Sequence, residues 1–206
     1  YAERDAEATL KLWQRLSVEL VNQELMDVFN LETKLFPCLV DMRFKGVRVD
    51  LEHADKLKKN LMERESKIIN KIKELTGVDV EIHAARSIAK AFDKLKLPYD
   101  RTEKSNEPSF TKNFLQNHPH ELARSIADAR EINKAHTTFI DSITKHSHNG
   151  RIHADINQIR SDQGGTVTGR FSMSNPNLQQ IPARHPEIGP MIRSIFIPEK
   201  NTTWGS

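Results

Sequence analysis

A mainly α fold with a smaller α+β part is predicted for this chain: a long antiparallel helical arm, then short antiparallel strands. Two long stretches carry apolar residues at helical spacing and are joined by a segment with its own short helix. After Asn149-Gly150, a hairpin-type turn signal, the helical period ends and short apolar runs begin.

Leu10, Leu12, Trp13, Leu16 and Leu20 predict a helix over 1–22. A second helix is predicted from about Gln23 to Phe44, with Leu31, Leu35, Leu39 and Met42 on one face. Pro37 lies inside it and is expected to kink or split it, and Gly46 stops it. Val47-Arg48-Val49 reads as a short strand. Asp50 is an N-cap for the first arm helix, over 51–75, which ends before Gly77. Its stripe is Leu57, Leu61, Ile68, Ile72 and Leu75, with one step of a full heptad. The second arm helix is expected as one piece over 121–146, with Leu122, Ile126, Ala129, Ile132, Phe139 and Ile143 inward. Between them, over 77–118, lies a tip with a helix from Ala85 to Leu95. Ile88, Phe92 and Leu95 face inward there, and a mobile polar loop runs from Pro98 to Pro108. Ile152, Ala154, Ile156 and Ile159 suggest strands broken by Gly164-Gly165. The run Ile192 to Ile197 reads as a last strand, and the boundary before the strand region is placed near 147–150.

Composition narrows the chemistry. The chain has 206 residues and 37% hydrophobic content, enough for one or two packed units. Cys38 is the only cysteine, which excludes an intrachain disulfide and a cysteine-based zinc site and suits a reducing compartment. No apolar run approaches the roughly 20 residues that span a bilayer, so no membrane partner is expected. The start has no initiator Met and no secretory signal, and reads as the middle of a domain. Net charge is +3 and the pI about 9.0, so a polyanion partner must be argued from local clusters. His146 with His148, and His118 with His120, lack the i, i+4 spacing of a helical zinc site and are expected at the surface. There is no phosphate-cradling G-x-x-x-x-G-K-[ST] run.

The most informative stretch is Thr166-Val167-Thr168-Gly169-Arg170-Phe171-Ser172, with Asn175-Pro176-Asn177-Leu178-Gln179-Gln180-Ile181-Pro182 just after it. It resembles the signature that opens the palm of family A DNA polymerases, a T-G-R-L-S-S run and then P-N-L-Q-N-I-P, and phage-type members come closest. Met173 and Gln180 depart from that pattern, standing where the family often has Ser and Asn. Arg193-Ser194-Ile195-Phe196-Ile197-Pro198 resembles the family's next strand. Gly46-Val47-Arg48-Val49-Asp50 is similar to its entry into the thumb.

The resemblance implies a division into 1–22, the end of a 3′–5′ exonuclease-like domain; 23–148, the thumb; and 149–206, the first part of the palm. It implies that the chain binds and positions primer–template duplex in a DNA-directed DNA polymerase, a nucleotidyltransferase acting in DNA replication. Every Watson–Crick pair offers minor-groove acceptors at nearly equivalent places, so an Arg or amide there holds all correct pairs alike. The resemblance puts Arg170 at the primer-terminal minor groove, Gln179 and Asn177 close to the same duplex, and Thr168 near the template backbone. Arg184 and Arg193 are candidates for phosphate contact, as are Arg86, Lys90 and Lys94 on one face of the tip helix. The tip is no intense basic patch: residues 77–112 hold seven basic and six acidic side chains. Where the family often has two serines before this helix, Ala84-Ala85 stand here.

Tyr1 and Asp5 resemble the Y-x-x-x-D pattern of the proofreading exonuclease, which makes Asp5 a metal-ligand candidate together with exonuclease residues not found here. Polymerisation uses two Mg²⁺ ions on palm aspartates, the first expected just after Thr203-Trp204-Gly205-Ser206. The chain alone is therefore expected to bind duplex weakly and to be inactive. The rest of the palm and the fingers would be supplied by the same or a second chain. A cytoplasmic setting is implied, the host's if the gene is a phage's. The alternative is a non-enzymatic helical DNA-binding or scaffold module.

Overall fold

The computed structural model describes residues 2–160, 164–182 and 185–204. Contacts divide the chain into two units, Tyr1–Gly46 with His153–Asn177, and Val47–Ile152 with Leu178–Ser206. The boundary expected near 147–150 falls inside the second. No helix among the described residues is long and apolar enough to cross a membrane.

The first unit opens with a helical hairpin, α1 (Ala2–Asn22) and α2 (Met26–Lys45). Glu24 adopts a positive φ of 57° and Leu25 N–H donates to Leu20 O at 2.8 Å, which reverses the chain. The Trp13 and Phe29 rings meet across the hairpin, 5.3 Å apart. Of the two outcomes expected at Pro37, a kink or a split, the split does not occur: α2 runs on through it. Proline removes one N–H, and the rest of the helical ladder carries the turn. Arg43 anchors the strand region to α2: it pairs with Asp155 at 2.6 Å, and its carbonyl accepts from His153 Nδ1 at 2.8 Å.

In the second unit, β1 (Val47–Arg48) pairs antiparallel with β5 (Arg151–Ile152), which pairs with β4 (Ser147–His148). Asn149 and Gly150 close the β4–β5 hairpin with φ of 50° and 72°, the left-handed pair such a two-residue turn needs. The first arm helix, α3 (Leu51–Thr76), starts where Asp50 Oδ1 accepts from His53 N–H at 2.9 Å. It ends at Gly77, φ 67°. Its buried stripe includes Ala54, Leu57, Leu61, Glu65 and Ile72. Leu75 is exposed; Thr76 takes the inward place beside it.

The tip is built on α4 (Ala85–Lys94), whose Ile88, Ala91 and Phe92 are fully buried. Phe92 is the hub of a ring cluster, with Phe110, Tyr99 and Phe114 at 4.9, 6.2 and 6.2 Å. Replacing it with Ala would cost about 3–5 kcal/mol. The segment 98–108, expected as a mobile loop, contains a hairpin: β2 (Asp100–Arg101) pairs with β3 (Pro108–Ser109). Tyr99 and Phe110 flank this hairpin and pack against the cluster, which orders a segment whose polar letters read as loop. His118 and His120 are half-buried rather than exposed. His118 joins the rings, 5.4 Å from Phe92, and His120 caps the next helix by accepting from Leu122 N–H.

After α5 (Lys112–Asn117), the second arm helix is not one piece. It runs as α6 (Glu121–Lys134), a π turn over Ala135–Ile140, and α7 (Asp141–Lys145). His136 and Glu65 are buried against one another at this turn. Residues 155–157 form β6 in the first unit, pairing with β7 (Ser172–Ser174) in the register Ile156 with Met173. Ile159 is exposed and outside any strand. Of the run expected as a last strand, Ile192 to Ile197, only Ile192 and Arg193 are helical, at the end of α8 (Ile188–Arg193), and Ser194 and Ile195 form a turn. Ile188 and Ile192 are buried in α8 and Ile195 in the turn that follows it, a 4–3 spacing that suits a helix end. Only Phe196 makes a strand-like bridge, to Val49.

Candidate nucleic-acid interface

In the first unit the signature stretch forms a loop leading into β7. Gly165 has φ of 99°, and a Cβ built on it would lie 2.1 Å from the Ile159 carbonyl oxygen, so backbone passes backbone here. Thr166 Oγ1 donates to Arg170 O at 2.7 Å, tying the loop across Gly169, φ 71°. Val167, Thr168 and Arg170 are exposed. Among the described residues the Arg170 guanidinium has no hydrogen-bond or ion-pair partner. Behind the loop, Asn157 Nδ2 reaches Ser172 and Ser174 at 3.5 and 3.4 Å, and Asn175 Nδ2 donates to Asp155 at 2.9 Å. The Asn175–Pro176 bond is cis and Asn177 is exposed. Thr168 and Arg170 thus share one exposed turn on a polar network that ends on Arg43.

The second unit carries Gln179 on a 3₁₀ turn, Leu178–Gln180, exposed. The segment from His185 to α8 is tied to the arm. His185 Nδ1 accepts from Ile188 N–H at 2.9 Å, which opens α8 and leaves the proton on Nε2. Nε2 then donates to Glu131 Oε2 on α6 at 3.0 Å. Lys112 pairs with the other oxygen at 2.9 Å. Burial pushes the Glu131 carboxyl up, but Lys112 and His185 together outweigh it and hold it below its ordinary value. Arg64 on α3 donates two hydrogen bonds to Glu187, at 2.7 and 3.1 Å, which lowers that carboxyl. A groove of about 450 Å³ lies beside the turn, lined by Lys134, Phe139, Gln180, Ile181, Pro182 and Ile188. Arg193 is exposed at the end of α8.

On the tip helix Lys90 and Lys94 are exposed and, among the described residues, unpaired. Arg86 differs: it donates to both oxygens of Glu107, at 3.2 and 2.8 Å. A phosphate would have to compete with that carboxylate. Asp5 sits exposed in the first turn of α1. Among the described residues, no three His, Cys, Asp or Glu side chains gather as a metal site. Tyr1 and Arg184 lie outside the described residues.

Sequence reading missed Arg64, Glu131 and His185. The signal for His185 was a helix-opening one, a side-chain acceptor three residues before Ile188, hidden because 188–191 suggest no element of their own and the strand reading begins at Ile192.

Residues 51–205 match the family model described as DNA polymerase family A. The chain is 33% identical to a DNA-directed DNA polymerase of Pseudomonas phage M6, over 100% of its own length and 32% of the phage protein. It is 33% identical to DNA polymerase DpoZ of Acinetobacter phage SH-Ab 15497, over 99% of the chain and 36% of the relative. With the thermostable DNA polymerase I of Thermus aquaticus the identity is 32%, over 92% and 22%. The chain thus spans about a third of the length of these phage relatives. Among solved structures, the POL domain of Pol1 from M. smegmatis, in complex with DNA primer-template and dNTP, shares the fold. Its TM-score is 0.75 at 23% identity, covering 91% of this chain and 33% of that one. The matched region takes in the arm, the tip, the Arg170 loop and α8, three quarters of the sequence: the chain belongs to DNA polymerase family A.

Proposed function

We propose that this chain is the duplex-positioning part of a DNA-directed DNA polymerase, with residues 23–148 as thumb, 149–206 as the opening of the palm and 1–22 as the end of an exonuclease-like domain. The observation that carries the reading is Arg170: a solvated guanidinium on a glycine-shaped turn, braced by Thr166, with no carboxylate among the described residues to neutralise it. A cation held at a fixed place suits acceptors that recur at every base pair. Purine N3 and pyrimidine O2 are such acceptors, and a mispair moves them out of reach. Gln179 and Asn177 bring amides to the same kind of edge, and Thr168 a hydroxyl to the template backbone. Lys90, Lys94 and Arg193 neutralise phosphates, which fixes the duplex without reading sequence. The Glu107 carboxylate on Arg86 makes that residue a weaker phosphate ligand.

Templated synthesis is proposed for the whole protein. Its Mg²⁺ ions would activate the primer hydroxyl and support the leaving pyrophosphate. The described residues offer no ligand set for them, and Asp5 alone does not make one. The contribution derived for this chain is to bind and orient the duplex. A non-enzymatic scaffold is disfavoured by the family match over 51–205.

Salt-titrated binding of the purified chain to a primer–template duplex tests the reading. Affinity should fall steeply with salt, and Lys90→Ala/Lys94→Ala should lower the slope by about two. Binding that is indifferent to salt, or no tighter to primer–template than to an unrelated neutral polymer, would refute it.

A further inference from the structure

The two arm helices have matching defects. The α3 stripe skips from Leu61 to Ile68, and the α6 stripe from Ile132 to Phe139. Glu65 and His136 fill those gaps, both buried, and meet with His136 Nε2 donating to Glu65 Oε2 at 2.5 Å. Asn133 Nδ2 donates to the other carboxylate oxygen at 2.9 Å, and its Oδ1 accepts from His83 Nε2 at 3.0 Å. At this point the helix widens into the π turn: Asp141 N–H donates to His136 O, five residues back.

A π turn is rarer and less favourable than α, so its ends must be held from outside its own backbone. Here one end is pinned by Asn133 and His136 on Glu65. The other is pinned by Ile140 and Ile143, which are 0% and 2% exposed. In an unbroken α-helix with His136 inward, Phe139 and Ile140 would straddle the inward direction, at about 100° per residue. The wider turn brings Ile140 fully in and rolls Phe139 outward, to the groove shared with Gln180, Ile181, Pro182 and Ile188. Helix α8 packs on the same turn. Lys134 Nζ lies 5.7 Å from the Phe139 ring centroid, on the same groove.

We propose that the buried Glu65–His136 pair sets the register of the π turn, and that His136 and, through it, Phe139 are positioning residues for the turn that carries Gln179. This rests on the reading of Gln179 as a duplex contact. The carboxylate fixes the front of the turn, the extra residue turns Phe139 into the groove that Gln180, Ile181 and Pro182 also line, and the ring there shapes the bed of the Gln179 turn.

The test is the double replacement Glu65→Leu/His136→Leu in the intact protein, which removes both polar partners and leaves no orphan charge. NMR of residues 135–141 reads the register without DNA; primer extension reads the function. The expected result is an α-helical 135–141 and a KM for primer–template raised roughly tenfold with kcat kept, since a small misplacement far from the chemistry is felt in binding and alignment. Phe139→Ala should raise KM alike and add nothing to the double variant. The proposal is overturned if the π turn survives the double replacement, or if it is lost with KM unchanged. Should the double variant not fold, His136→Gln keeps a donor for Glu65 and must preserve both register and KM; loss of either overturns the proposal. If the unaltered protein shows no templated extension, the functional reading fails, and the NMR comparison alone still decides the register.

Discussion

Arg130 donates from Nε to the carbonyl of Ile82 at 2.6 Å, and from Nη1 to that of Phe110 at 2.8 Å. A half-buried cation on α6 therefore holds two tip segments by their backbones, without a carboxylate among the described residues. Burial lowers its pKa, the sign of a guanidinium taken partly out of water. Arg130→Met would leave both carbonyls short of a donor. Hydrogen bonds to charged groups are worth about 1.5–3 kcal/mol each. A urea titration should show the second unit destabilised by about 2–3 kcal/mol, with the first unit unaffected.

Acid should loosen the second unit. The Glu187 carboxyl is held below its usual 4.5 by hydrogen bonds from Arg64, and Glu121 and Glu107 are lowered by Lys71 and Arg86. Each folded pKa lies below the unfolded one, so each contribution is fully present above about pH 4.5 and is lost as pH falls through the lower folded value. Asp128 works in the opposite sense, since burial first and then Glu131 raise its carboxyl. The lowered group outnumbers it, so Tm should drop below that pH. Arg64→Ala should shrink the drop only slightly, by under about 1 kcal/mol, because the pair is 35% and 55% exposed and solvent screens it.

Two glycines beside Arg170 should respond differently. At Gly169 a Cβ meets nothing within 4 Å, so Gly169→Ala carries only the left-handed penalty, about 1–2 kcal/mol. At Gly165 the Cβ would sit on the Ile159 carbonyl, and the backbone has to move. Duplex binding should survive Gly169→Ala at reduced stability. It should be lost in Gly165→Ala, with circular dichroism showing the helices intact.

Much of the fold was legible in the letters. Asp50 and Gly77 bracket α3 because a carboxylate cap and a left-handed stop are local chemistry. Asn149-Gly150 gave its hairpin for the same reason. Thr168, Arg170, Asn177, Gln179 and Arg193 are all exposed, as polar side chains in turns and at a helix end are expected to be. The losses are non-local. The seven-residue gaps at Glu65 and His136 showed where each stripe failed, but only the pairing of two helices shows that the failures meet. The run Ile192 to Ile197 read as a strand because β-branched residues prefer one, and the burial of Ile188, Ile192 and Ile195 set its first half as a helix end and a turn instead. Arg86 looked available until Glu107, 21 residues on, was folded beside it.

The central claim is best tested at the atom it names. Primer extension should be timed with a terminal purine whose minor-groove N3 is replaced by C–H, on the whole protein and on its Arg170→Ala variant. A lost hydrogen bond to a guanidinium is worth about 1.5–3 kcal/mol, so the unaltered protein should slow roughly tenfold to a hundredfold. Arg170→Ala, already slow on the natural primer, should not slow further. Equal slowing of both proteins, or none in the unaltered one, would contradict the assignment of Arg170 to the groove.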